Sequence, residues 1–232
     1  MIKLALSTAI FWTFDLSLLA NEIVKKPDVL LQMLKSNENW TSVAKKGEVI
    51  LSTKSIKDMS LVAFMAKQKT NIPSKIIQDI VMDVKNYGQY FNSAGEFVFS
   101  EVRRYSGAVE GYHLLPVDLP FMKDREYFFR VHKGGYNIED KVSIVHWYLI
   151  DKPEKVQTQN TSKDAIYLNY GAGLWMAEHN DDGEYMLSYR LYLDPGGSIP
   201  DFAIELLNKM SVVNVFNDVL IEASRRNYTE VH

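Results

Sequence analysis

Hydrophobic and polar positions change period several times along this chain. Over residues 23–36, Ile23, Val24, Val29, Leu30, Met33 and Leu34 recur at helical spacing between Lys25, Lys26, Asp28 and Gln32, which predicts an amphipathic helix. The β-rich runs 48–53 and 60–67, joined by the polar stretch 54–58, predict a hairpin. After Asn71 and Pro73 the period becomes helical again: Ile76, Ile77, Ile80, Val81 and Val84 predict a helix over 74–85. From 97 to 193 the pattern is almost wholly β. It is broken at Ser106-Gly107, 116–120, Gly134-Gly135, 151–164 and 181–183, which predicts a meander of long strands. A last helix is expected from Pro200 to about Arg226, roughly 40 Å at about 1.5 Å per residue. Its apolar stripe runs through Phe202, Leu206, Met210, Val213, Phe216 and Leu220, so it must lie along something apolar.

The strand faces say what that something is. Tyr185, Leu187, Tyr189, Leu191 and Leu193 share one face of their strand, and Met186, Ser188, Arg190 and Tyr192 share the other. Arg125, Tyr127, Phe129 and Val131 alternate with Glu126, Phe128, Arg130 and His132, while Tyr112 and Leu114 alternate with Gly111, His113 and Leu115. Both faces of several strands are too aromatic to be left in water. The expected architecture is therefore α+β, a curved antiparallel sheet wrapped around the long C-terminal helix. The aromatics either fill a core or wall a cavity. Tyrosine favours the cavity, because a buried hydroxyl needs a partner that water or a ligand supplies there.

Composition narrows the chemistry. The 232 residues are 47% hydrophobic and 24% charged, an ordinary globular balance, and no linker or repeat divides the chain. The net charge of −3 and the scattered basic residues argue against nucleic acid as a partner. Without cysteine there is no disulfide, no thiolate catalysis and no Cys-ligated metal. The five histidines lack the spacing of a local metal site. Asp194-Pro195-Gly196-Gly197-Ser198 lacks the pattern of a phosphate loop, and no Gly-x-Ser-x-Gly elbow occurs.

The N-terminus has Lys3 before an apolar stretch, 4–14, and ends in Leu18-Leu19-Ala20, which reads as a signal peptide over 1–20. Asp15 and Leu18 depart from that pattern. The stretch is too short to span a bilayer, which takes roughly 20 apolar residues. The expectation is a periplasmic or secreted protein with one domain over 21–232. The competing reading, a buried or interfacial first helix, allows a cytoplasmic one.

Three blocks resemble the START (steroidogenic acute regulatory protein-related lipid transfer) family. The first is the run from Tyr112 to Arg130, with Leu119-Pro120-Phe121 and Asp124-Arg125-Glu126-Tyr127 at its centre. Next come Gly173-Leu174-Trp175-Met176 and Asp182-Gly183-Glu184-Tyr185 through Tyr189, followed by Leu193-Asp194-Pro195-Gly196-Gly197 through Phe202. Trp40 with Gly47-Glu48-Val49-Ile50 is similar to the family's opening. The resemblance spans about 30–226 and implies a helix-grip (START/Bet v 1-like) fold around a hydrophobic tunnel. It also implies one bound lipid or sterol-like molecule, no catalysis, no cofactor, transient membrane contact and action as a monomer.

The family's Arg-Asp is Arg125-Glu126 here, which leaves a surface or turn role. Where many members carry a cavity arginine, this chain has Val131; Arg130 and Glu110 lie out of step, which implies a more apolar cavity floor. The lining residues expected are Tyr112, Leu114, Tyr127, Phe129, Val131, Trp147, Trp175, Leu187, Tyr189, Phe202, Leu206, Met210 and Val213. The final helix and the polar loop 151–164 are the candidate lid.

Two other readings compete. A cyclase or hydrolase on the same fold would need two of His113, His146, Glu110 and Arg190 within hydrogen-bond reach in the pocket. An interaction module would fill its cavity with its own side chains and have no pocket above roughly 300 Å³.

Overall fold

The computed structural model describes residues 26–59, 61–92, 98–117, 122–137, 142–151, 164–179, 183–197 and 201–231; for 135–137, 201–211, 230 and 231 it describes the backbone alone. The segment 1–20 expected to be a signal peptide and most of the segment 151–164 expected to be a loop lie outside the described residues. Helix α1 (Pro27–Lys35) starts on a proline that needs no N–H partner, with Asp28 in its first turn and Lys35 in its last, each favoured by the helix dipole. Strands β1 (Thr41–Lys46), β2 (Val49–Ser55) and β3 (Val62–Thr70) follow. The chain then turns at Pro73 into α2 (Ser74–Val81), a 3-10 turn (Val84–Asn86) and the one-turn α3 (Tyr87–Tyr90). Next come β4 (Val98–Tyr105), β5 (Ala108–Leu115), β6 (Arg125–Asn137), β7 (Val142–Ile150), β8 (Ile166–Tyr167), β9 (Gly171–His179) and β10 (Tyr185–Leu193). Helix α4 (Asp201–Val231) closes the fold; at about 1.5 Å per residue it is roughly 46 Å long.

Among the described residues, ten strands form one sheet in the order β1-β2-β3-β10-β9-β7-β6-β5-β4, with β8 added in parallel beside β6. All other pairings are antiparallel. The expected hairpin is β2–β3, with Ser55 opposite Val62. Strand β1 was not expected: Thr41–Lys46 is exposed at every position, so no alternation marks it, and only its ladder with β2 defines it.

The sheet buries both faces. On the concave side, Phe64, Phe129, Trp175 and Tyr189 join Ile76, Ile77 and Ile80 of α2 and Val212, Phe216 and Val219 of α4 in one core. On the convex side, Leu30 and Leu34 of α1 pack on Ala172, Leu174, Met176 and Tyr192. Strands β9 and β10 are accordingly buried at most positions of both faces, because each is covered twice.

Candidate functional site

The concave face, the α2–α3 segment and α4 enclose a cavity of about 120 Å³. Eight of its fifteen lining residues are Phe, Tyr or Trp, so its walls are mostly ring faces and edges. The rings brace one another. Trp175 lies between Tyr189, 4.4 Å away at 15°, and Phe216, 5.8 Å away at 5°. The Trp147 indole hydrogen-bonds the Tyr189 hydroxyl. Two glycines make room for this. A Cβ on Gly173 would stand 2.7 Å from the Trp147 ring, and one on Gly111 2.5 Å from Phe129.

Of the residues expected to line a cavity, Tyr127, Phe129, Val131, Trp147, Trp175 and Tyr189 border this one. Leu187 and Val213 are buried in the same concave core but away from its wall; Val215 borders the cavity from α4. Phe202, Leu206 and Met210 have side chains outside the described residues.

Tyr112 and Leu114 require a correction, because β5 turns its other face inward. In an antiparallel pair, residues directly opposite share a face, and Tyr112 stands opposite Phe128, with His113 opposite Tyr127. Tyr112 is fully buried on the convex side, where its hydroxyl donates to Glu126 Oε2 at 2.8 Å. His113 and Leu115 line the cavity in place of Tyr112 and Leu114. Tyr87, Phe91 and Phe99 line it too, from the short α3 region and the edge strand β4, where the sequence had no face to assign.

The interior polar groups are few. Tyr127 Oη and His113 Nδ1 are 2.6 Å apart, and the His113 ring stacks on Phe99 at 4.0 Å. Burial pushes the His113 imidazole down to about 3, so it is neutral at physiological pH, and raises the phenols of Tyr127, Tyr189 and Tyr87. The Tyr87 hydroxyl donates to the Val81 carbonyl. Of the four side chains that catalysis would draw on, His113 borders the cavity. Glu110 pairs with Arg130, His146 stacks on His132, and Arg190 binds the end of α1, all on the convex face.

The cavity is smaller than the roughly 300 Å³ at which drug-sized pockets begin, because its own rings fill much of it. A recess of about 650 Å³ between Thr70, Glu184 and Tyr228 is an open surface groove.

No family model and no curated protein matches the sequence. Solved structures do match. Human StAR-related lipid transfer protein 5 superposes with a TM-score of 0.67 over 90% of this chain and 97% of its own, at 10% identity. A STAR-related lipid transfer protein fragment from Xanthomonas axonopodis gives 0.62 over 81% of this chain and 98% of its own, at 14% identity. Human STARD10 gives 0.62 over 84% and 80%, also at 14% identity. The chain has the START, or helix-grip, fold.

Within this START fold the charged residues sit where the sequence did not put them. Arg125 and Glu126, expected at a surface or turn, are 3% exposed each. Arg125 donates through Nε to the Pro195 carbonyl at 3.1 Å, tying the loop before α4 to the start of β6. Glu110 and Arg130 are directly opposite each other, and Arg130 Nε donates to Glu110 Oε1 at 2.9 Å. The pair is in register but on the convex face, beneath Tyr105 and Tyr148. Val131 faces inward in its stead, and the cavity floor is apolar as expected.

Proposed function

We propose that the protein binds a single lipid or sterol-like hydrophobic molecule in the concave cavity and carries it without chemical change. The observation that carries this reading is a cavity walled by aromatic rings and edged by neutral hydrogen-bonding groups, under the long helix of a START fold. Each methylene moved from water into such a wall gains about 0.8 kcal/mol, which makes an acyl chain or ring system the natural occupant.

A whole lipid needs more than about 120 Å³, so binding requires the cavity to widen. Helix α4 and the α2–α3 segment are the elements that can yield, since side-chain contacts hold them while every cavity strand is fixed in a hydrogen-bonded ladder. The reading includes transient membrane contact during loading, export with loss of residues 1–20, and action as a monomer over 21–232.

The small volume favours one other reading, an interaction module whose cavity is filled by its own rings. One experiment separates the two. Native mass spectrometry of protein purified from its own host, followed by organic extraction, is expected to give a monomer lacking the leader and carrying one lipid. Absence of any copurifying lipid, together with no binding to a lipid panel, overturns the carrier in favour of the self-filled module.

A further inference from the structure

The cavity wall has an unusual balance of polarity. Among its described lining residues none is Asp, Glu, Lys or Arg, and its hydrogen-bonding side chains are three tyrosines, two indoles and His113. Three of these six are engaged with other groups of the wall. Tyr87 donates to a backbone carbonyl, and the Trp147 indole is engaged with Tyr189. Of the charges on the same strands, Glu110, Arg130 and Arg190 lie on the opposite face, and Arg125, which shares the inward face at the start of β6 but is not part of the described cavity wall, donates to the Pro195 carbonyl. The pair Tyr127 and His113 forms a polar spot between Phe99 and Phe129.

The chemistry of that pair is adaptable. A tyrosine hydroxyl has one donor and two acceptor sites, and a neutral imidazole has one of each. With its proton on Nε2, His113 accepts from Tyr127, and the phenol oxygen is left able to accept from a ligand hydroxyl. With its proton on Nδ1, His113 donates to Tyr127, whose O–H then points a donor at a ligand oxygen. Because burial holds the ring neutral well below physiological pH, the pair supplies no cation to balance an anion in either form.

Resting on the ligand-binding reading above, we infer that the ligand is an uncharged hydrophobic molecule with one hydroxyl or carbonyl oxygen, hydrogen-bonded by Tyr127, whose donor or acceptor role is set by its bond to His113. An ionised carboxylate, sulfate or phosphate would enter a wall with no counter-charge among the described residues, and its desolvation would go uncompensated.

The test uses lipid-stripped full-length protein and the fluorescence of Trp147 and Trp175, both in the cavity wall. Four ligands are compared: hexadecane, hexadecan-1-ol, its acetate ester and its sulfate ester, each delivered from cyclodextrin. The alcohol and the acetate are expected to bind, and the sulfate at least about tenfold more weakly. Tyr127→Phe should weaken the alcohol by about fivefold while leaving hexadecane unchanged, as loss of one neutral hydrogen bond implies. His113→Phe is read in the same way should Tyr127→Phe not fold.

Equal affinity for alcohol and sulfate, or an unchanged ratio of alcohol to hexadecane in a folded variant, overturns the inference and leaves ligand binding itself standing. Failure of all four ligands to bind overturns the ligand-binding reading and this inference with it.

Discussion

The two faces of the sheet are made from alternate residues of the same strands, yet they handle polarity in opposite ways. On the convex face, charge is buried and matched. The Arg190 guanidinium, 2% exposed, donates to the Leu34 and Lys35 carbonyls at 3.1 and 2.9 Å and to Asn37 Oδ1 at 2.7 Å. It thereby satisfies the carbonyls that the C-terminus of α1 leaves without intrahelical partners. Glu110 with Arg130, and Tyr112 with Glu126, are matched in the same way. In the cavity wall on the concave face, the polar side chains of the described residues are all neutral. A helix end laid on the convex face supplies fixed acceptors for a guanidinium. Among the described residues no charged side chain lines the cavity, so a charge there would depend on the ligand.

If that division is correct, the largest effect comes from breaking the convex network. Arg190→Met leaves several buried carbonyls without donors and should cost about 3 kcal/mol in urea unfolding, with ligand affinity of the folded protein unchanged. A cost below about 1 kcal/mol would mean the carbonyls find other donors.

The concave face predicts a smaller effect of acid. His113 titrates near 6.5 in the unfolded chain and near 3 when folded. Its contribution is complete above pH 6.5 and is lost as the pH falls, because only the unfolded chain takes up the proton. At pH 5 the loss should be about 2 kcal/mol relative to pH 7.5. His132 and His146 shift in the same direction, so the difference between the wild-type and His113→Phe stability curves isolates this term. Parallel curves would show that the ring is hydrated or charged when folded.

The smallest effect belongs to Glu110→Gln. Arg130 is 34% exposed, so solvent screens the pair, and a loss of about 1 kcal/mol or less is expected. Ligand binding should not change. A drop in affinity would show that the pair acts across the sheet on the cavity and would blur the contrast between the faces.

How much of this was legible along the chain varies by element. The faces of β6 and β10 were, because Tyr127, Phe129 and Val131, and likewise Leu187, Tyr189 and Leu191, alternate with residues of clearly different character. Strand β5 was not: Tyr112 and Leu114 look as apolar as His113 and Leu115, and the nine residues joining β5 to β6 are too many for turn geometry to set the register. One clue was present. Placing Glu110 opposite Arg130 aligns Tyr112 with Phe128 and sends both outward, the register the strands adopt.

Period and punctuation along the sequence determined the element order, the antiparallel sheet and the long apolar helix, since these depend on local spacing and turn chemistry. Tertiary structure decided which face of β5 looks inward, that the α3 segment supplies Tyr87 and Phe91 to the cavity, and that Arg190 caps a helix more than 150 residues earlier. Those outcomes depend on which groups meet across the fold to satisfy buried donors and acceptors, and spacing along one strand carries no information about the partner.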